Sequence, residues 1–271
     1  SHLPYLPFKM RLIRIIYNPD KIFSGQHKQE KKIIKIYEAK FLCNTISYID
    51  WGIIFFKGHE NGLLRFFINL IKSNKFNLFI DIGANIGYFS IPISYYVNTL
   101  SFEPLNYNFE KLKKNSSYNT GKIKLFNFGL SDKVSTSKIY FSSDSPNFGN
   151  VSLYPDKYKN LNKYEKIDLK VFDNSFDYSN QNLLIKIDVE GHELNLLRGL
   201  KKTLIKNNCF IYIECTSEDI IKFLKSVNYN YFYIKDNLLS KISKSRNFEG
   251  HIIAYNYKFY NSLTNFAGEP K

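Results

Sequence analysis

The sequence predicts an α/β fold, a mostly parallel seven-stranded sheet with helices on both faces, preceded by an N-terminal helical extension. Three observations predict it. From Phe76 onward short apolar runs alternate with longer helical stretches, the rhythm of strand, crossover helix and parallel strand. A glycine turn, Asp81-Ile82-Gly83-Ala84-Asn85-Ile86-Gly87, stands directly between one such strand and a helix. The stretch from Leu183 to Val189 has the character of a buried central strand.

The strands are expected at 76–82, 99–103, 123–128, 183–189, 209–215, 231–235 and 251–257. Helices are expected at 86–97 in spite of Pro92, then at 107–118, 193–206 and 218–226, with right-handed crossovers. Residues 8–48 read as helical and basic: Leu12, Ile15 and Ile16, then Ile33, Ile36 and Tyr37, fall at helical spacing, interrupted by Pro19. This divides the chain into an extension over 1–58 and a ligand-binding domain over 59–271. The extension covers the core, forms a dimer contact or rests on a membrane surface, the first being the default. The segment 131–168, rich in Ser, Asn, Asp, Pro and Tyr, is too long for an ordinary connection. It reads as an inserted loop or hairpin beside the site and a candidate for acceptor recognition.

With 271 residues and 44% apolar content the chain has enough material for one α/β domain with decoration. Its net charge of +14 favours anionic partners such as phosphorylated sugars, nucleic acid or an acidic membrane surface, although Lys-rich codon usage contributes to the same number. Cys43, Cys209 and Cys215 are odd in number and lack CxxC spacing, which argues for a reducing compartment and buried structural thiols. No apolar run reaches 18 residues and no secretory leader is evident, so a cytoplasmic location is expected, with the inner face of a membrane as its variant.

Four motifs carry the chemistry. In the first, Gly83 permits a tight turn and close approach of a ligand to the backbone, and Gly87 lets the helix start pack on the strand. The GxxxG spacing with Asp81 in front differs from a dinucleotide GxGxxG. An acid beside the turn suits a cationic amino-acid ligand better than a pyrophosphate, and S-adenosylmethionine, with its ammonium and sulfonium, is such a ligand. The second motif is Glu103-Pro104, 22 residues beyond Asp81 at the end of the next strand, where a carboxylate accepts both hydroxyls of a ribose. The third, Phe128-Gly129-Leu130-Ser131-Asp132, falls where an adenine would lie; Ser131 or Asp132 either bonds the base or caps the loop. In the fourth, Lys186-Ile187-Asp188-Val189-Glu190-Gly191-His192-Glu193, two acids and a histidine gather at the end of the central strand. Asp188 and Glu190 share a face if the strand extends that far, and Glu190 and Glu193 otherwise cap the next helix. Ile213-Glu214-Cys215 sends a further acid towards the same edge.

With these residues in view the chain resembles the FkbM family of methyltransferases. FIDIGANIGYFS, SFEPLNYNFEKLKKN, FGLSDK, LLIKIDVEGHELNLLRG and IYIEC follow one another in family order between about residues 60 and 256. The resemblance implies a Rossmann-like class I methyltransferase fold with a final reversed strand, S-adenosylmethionine as donor and O-methylation of a saccharide or other small acceptor. Asp81, Gly83, Asn85, Gly87 and Glu103 match the family's cofactor positions, and Asp188 with Glu190 its DVEG element; Ala84, Pro104, Leu130, Ser131 and Asp188 complete the candidate cofactor contacts. Catalytic candidates are His192 as general base, Asp188 as the second choice, and Glu190. A divalent cation held by Asp188, Glu190 and His192 is the alternative way to activate an acceptor hydroxyl. An RNA methyltransferase and a catalytically silent binding module are the rival functions; the absence of an RNA-binding module and of a DPPY or NPPY motif weighs against nucleic acid.

Overall fold

The computed structural model describes residues 13, 15, 18–26, 28–58, 60–142, 151–154, 162–214, 217–234, 242–243 and 251–256. In chain order the elements are α1 (Pro19–Phe23), β1 (Lys31–Ile36), β2 (Ala39–Asn44), α2 (Tyr48–Phe56), α3 (Asn61–Ser73), β3 (Leu78–Ile82), α4 (Ser90–Ile93), β4 (Asn98–Phe102), α5 (Asn106–Ser116), β5 (Ile123–Phe126), β6 (Gly129–Leu130), β7 (Ser135–Phe141), β8 (Val151–Ser152), β9 (Lys163–Lys170), α6 (Phe172–Ser175), β10 (Asn182–Ile187), α7 (Glu193–Gly199), α8 (Lys201–Lys206), β11 (Asn208–Ile213), α9 (Glu218–Ser226), β12 (Asn230–Ile234), β13 (Ile242–Ser243) and β14 (His251–Tyr255).

Seven strands carry the central sheet in the order β12-β14-β11-β10-β3-β4-β5, and the two-residue β13 extends it at the β12 edge. The pairs from β11 to β5 are all parallel, while β14 runs antiparallel to both β11 and β12. Alternation along each strand feeds two cores. Leu78, Ile80 and Ile82 of β3 join Leu183, Ile185 and Ile187 of β10 on the face covered by α7, α8 and α9. Phe79 and Leu184 point to the other face, where α3 lays down Leu63, Leu64, Phe67, Leu70 and Ile71. Asp81 and Lys186, two residues further on, follow the phase of that second face and are register partners.

Three sequence expectations are corrected. Residues 31–44 form a hairpin rather than a helix. Ile33, Ile34 and Ile36 are β-branched and stiff, Tyr37 turns the chain at φ 51°, and Ala39, Phe41 and Cys43 alternate into the core with period two. The N-terminal extension is therefore a hairpin with helices, and it is tied to α5: Leu42 N–H donates to Asn115 Oδ1 at 3.0 Å, and Asn115 Nδ2 donates to the Ile86 carbonyl at 3.0 Å. The helix expected at 86–97 shrinks to the four residues of α4, since Gly87 holds φ 88° and Pro92 has no N–H to give. The helix expected at 193–206 divides at Leu200, just after Gly199, into α7 and α8.

The segment after β6 is a small sheet, β6-β9-β7-β8, with β7 and β9 antiparallel from Ser135↔Leu169 to Phe141↔Lys163. Its inner side chains, Ile139, Ile167 and Leu169, pack on Leu105. Residues 143–150 and 155–161 of that segment, the helical positions read at 8–12, 14, 16 and 17, and Cys215, Lys235 and Tyr257 lie outside the described residues. Cys43 and Cys209 are free, buried thiols. No helix among the described residues is long and apolar enough to cross a membrane.

Candidate active site

The carboxyl ends of β3, β4, β10 and β11 open into a cleft with about 820 Å³ of empty space, part of it open to solvent. Its walls include Gly83, Asn85, Glu103, Pro104, Asn108, Leu130, Asp188, Glu190, His192 and Glu214, and the inserted sheet closes it with Ile139, Ser152, Leu153, Ile167 and Leu169. A second cavity of about 560 Å³ adjoins it; Gly83, Asn85 and Asp188 line both, and Glu60, Ala84 and Lys186 line the second.

Gly83 is required by its surroundings. It sits at φ 82°, and a Cβ there would lie 1.8 Å from the Asp188 carbonyl oxygen. The β3 turn and the β10 end thus touch backbone to backbone, and Asp188 N–H donates to the Ile82 carbonyl at 3.0 Å. Gly87 has a packing role, turning at φ 88° against Leu112 and Ile91.

Glu103 is 4% exposed and lines the cleft. Its two carboxylate oxygens each accept one backbone N–H, from Asn85 and from Leu105, both at 2.9 Å. A carboxylate oxygen has two lone pairs, so each keeps one for a ligand. Burial pushes the Glu103 carboxyl up to about 7, against the two amide bonds that favour its ionised form. Asp81 lies beneath the turn and lines neither cavity: it is fully buried, accepts from Ser90 Oγ, and stands 3.9 Å from Lys186 Nζ.

Lys186 is the organising cation, a role the sequence reading passed over. Its side chain is 3% exposed, with Nζ 2.9 Å from Asp188 Oδ2 and 5.0 Å from the centre of the Phe89 ring. Burial works against its charge, but Asp188, Asp81 and Glu60 outweigh that and hold its pKa above the ordinary lysine value. Distance decides what the acids feel. Burial raises Asp81 despite the lysine 3.9 Å away; Asp188, at 2.9 Å, is held below the usual range although burial opposes it. Glu214 reaches the same point: its contact with Asp188, with burial, pushes its carboxyl well above the usual carboxylate range. The signal for Lys186 was a lone lysine inside an apolar strand run.

His192 lines the cleft and is half-buried, and burial lowers its pKa against the raising effect of Asp132. Its Nε2 is 2.9 Å from Ser131 Oγ, Ser131 Oγ is 3.1 Å from Asp132 Oδ1, and Asn195 Nδ2 donates to Asp132 Oδ2 at 3.3 Å. Leu130 lines the cleft, whereas Ser131 supports His192 from behind. Strand β10 ends at Ile187 and Glu190 turns at φ 55°, so Asp188 and Glu190 do not alternate along one extended strand. Glu193 accepts from Gly191 N–H at 3.0 Å and braces that turn.

The divalent-cation alternative does not fit this donor set. Among the described residues no group of three or more His, Cys, Asp and Glu side chains is placed to hold a metal. Asp188 is committed to Lys186 and Glu214, and the Nε2 of His192 to Ser131. Besides Lys186, the sequence reading missed Asn108, which lines the cleft at 1% exposure with neither amide atom bonded among the described residues. No periodicity marks it, because its position in the first turn of α5 looks like an ordinary surface site.

A parallel sheet with one reversed strand and a ligand cleft under its glycine turn defines a Rossmann-like class I methyltransferase architecture. The Methyltransferase FkbM domain matches residues 81–231, and the chain belongs to that family. It is 28% identical over 178 residues, 66% of its length and 70% of the relative's, to a hexuronic acid methyltransferase, AglP, of Haloferax volcanii. Among solved structures, methyltransferase FkbM of Methylobacillus flagellatus is 15% identical with a TM-score of 0.42; the match covers 66% of this chain and 43% of that one, less than half its length. TYW2 of M. jannaschii, in complex with AdoMet, is 14% identical with a TM-score of 0.43, covering 84% and 86%.

Proposed function

We propose that this methyltransferase uses S-adenosylmethionine to methylate a hydroxyl of an anionic saccharide. The donor's nucleoside end fits the larger cleft: the spare lone pairs of Glu103 suit the ribose hydroxyls, and Leu130 and Pro104 offer apolar contact. When bound, the donor supplies an activated methyl group. The residues do the rest by positioning and by removing a proton. The net charge of +14 draws anionic acceptors, and the hexuronic acid named for the archaeal relative is one. Ser152 and Leu153 of the inserted sheet form the wall where such an acceptor would rest.

The observation that carries the hydroxyl reading is the proton inventory around His192. The Asp132 carboxyl, held below its ordinary range by Asn195 and Ser131 although burial opposes them, can only accept, so the Ser131 hydroxyl donates to it. Ser131 Oγ must then accept from His192, which places the imidazole proton on Nε2 and leaves Nδ1 with a bare lone pair. That Nδ1 has no partner among the described residues. It is a neutral base, itself out of solvent contact, on a side chain that lines the cleft, and is in the right state to take a hydroxyl proton. Asp188, neutralised by Lys186 and Glu214, is the poorer base.

The deciding experiment incubates the protein with methyl-labelled donor and a panel of uronate-containing saccharides, neutral saccharides and RNA. Label on a uronate-containing saccharide is expected; label on RNA alone would replace this reading, and donor binding without transfer to any of them would favour the silent module.

Two further outcomes follow from the site. Only the ionised Glu103 accepts from both ribose hydroxyls, so donor binding is linked to loss of its proton. Affinity measured by calorimetry should fall as pH drops below about 7, with Glu103 alone contributing up to tenfold per pH unit. Asn108→Leu removes two unbonded buried polar atoms, so the unliganded protein should hold or gain stability while donor affinity drops about tenfold. Paired thermal melts and binding isotherms check this; equal affinity would show that Asn108 makes no contact with the donor.

A further inference from the structure

The second cavity is built partly by chain that the family domain does not include. Ile49 and Ile53 of α2, Gly58 and Glu60 form one side, and the glycine turn, Lys186 and Asp188 form the other. Residue 60 lies well ahead of the matched segment, which begins at Asp81. We propose that Glu60 belongs to the donor site and holds the α-ammonium of the donor's amino-acid end in this cavity, an inference that rests on the donor assignment above.

Position comes first. The strap leading to Glu60 is fixed to the glycine turn, since Tyr88 Oη donates to the Lys57 carbonyl at 2.7 Å. Glu60 occupies the N-cap of α3 but its side chain makes no capping bond there. No hydrogen bond or ion pair reaches its carboxylate from the described residues, although it is only partly exposed and lines the cavity. An acid at a helix start normally takes its own backbone N–H groups. This one faces the cavity instead.

Charge comes second. The groups that face Glu60 are Lys186 from β10, Asp188 after it, Asp81 from β3, and the phenols of Tyr88 and Tyr212. Three carboxylates therefore surround one ammonium, which is already engaged by Asp188 at 2.9 Å. Burial, with Asp188 and Asp81 close by, pushes Glu60 up to about 7 against the pull of Lys186. The acids of the cluster outnumber its ammonium three to one. Asn85 adds a buried Oδ1 with no partner among the described residues, an acceptor on the boundary of both cavities. A ligand that brings an ammonium to this place satisfies both the surplus of acid and the spare acceptor. The donor carries its ammonium at the end opposite its nucleoside, and the nucleoside end belongs in the adjoining cleft.

The test compares two ligands by calorimetry at pH 7.5: S-adenosylmethionine, and 5′-methylthioadenosine, which keeps the nucleoside but lacks the amino-acid end. Glu60→Gln is expected to weaken S-adenosylmethionine about 10- to 100-fold and leave methylthioadenosine within about twofold. Glu60→Asp, which keeps the charge on a shorter arm, should show a smaller loss with the same selectivity. Unchanged affinity for both ligands, or an equal loss for both, overturns the proposal, the second result meaning that Glu60 only supports the fold. If Glu60→Gln fails to fold, Glu60→Asp decides by the same pair of ligands. Wild-type protein that binds neither ligand would instead overturn the donor assignment itself.

Discussion

Lys186→Met is expected to lose about 3–5 kcal/mol of folding stability in urea denaturation, and donor binding with it. The side chain is nearly isosteric, so the loss is electrostatic in origin. Removing the ammonium leaves Asp188 and the fully buried Asp81 without their shared counter-charge. The pH dependence separates this cause from poor packing. In the variant both carboxyls would have folded-state pKa values above their unfolded ones. The penalty is then full at high pH and disappears as pH falls through those raised values and the acids become neutral. The gap between variant and wild type should accordingly narrow on acidification. A gap constant from pH 8 to 5 would point to a cavity or a steric clash and not to unpaired charge.

His192→Ala should reduce kcat by about 10²- to 10⁴-fold with the donor dissociation constant unchanged, the range for removal of a positioned base. Steady-state rates with the labelled acceptor, together with donor binding, measure both halves of that statement. The result also identifies the acceptor atom. A sugar hydroxyl needs its proton removed, whereas a uronate carboxylate at neutral pH has none to lose. Full turnover in His192→Ala would transfer the reaction from hydroxyl to carboxylate, and the product would be an alkali-labile ester in place of an ether.

The sheet was legible because its strands are buried on both faces and read as continuous apolar runs, from 78–82 through 209–213. The glycine turn and the place of Glu103 in the cleft were legible because a close backbone approach demands glycine and because the end of a parallel strand opens towards the cleft. What stayed hidden has a common physical cause. Glu60, Asn108 and Lys186 meet neighbours far away in sequence: Glu60 shares a cavity with Lys186 of β10, and Asn108 shares the cleft wall with the inserted sheet. The hairpin at 31–44 was misread because three apolar residues spaced three and four apart also fit a strand whose partner supplies the alternation. Asp81 was expected at the ligand; strand phase turns it towards Lys186 and Ser90, and it lines neither cavity.

Helix α7 touches the loop of Ser131 and Asp132 at three points. His192 at its start meets the Ser131 hydroxyl, Asn195 meets the Asp132 carboxylate, and Gly199 at its end lies under the Ser131 carbonyl, where a Cβ would come within 2.0 Å of the oxygen. Positions 192, 195 and 199 form one stripe along the helix. The stripe works as a cradle that sets the height of the loop, and through it which imidazole nitrogen carries the proton. The tautomer of His192 is thus governed by steric room seven residues away, and a larger residue at position 199 would leave the histidine to be held in that tautomer by some other contact.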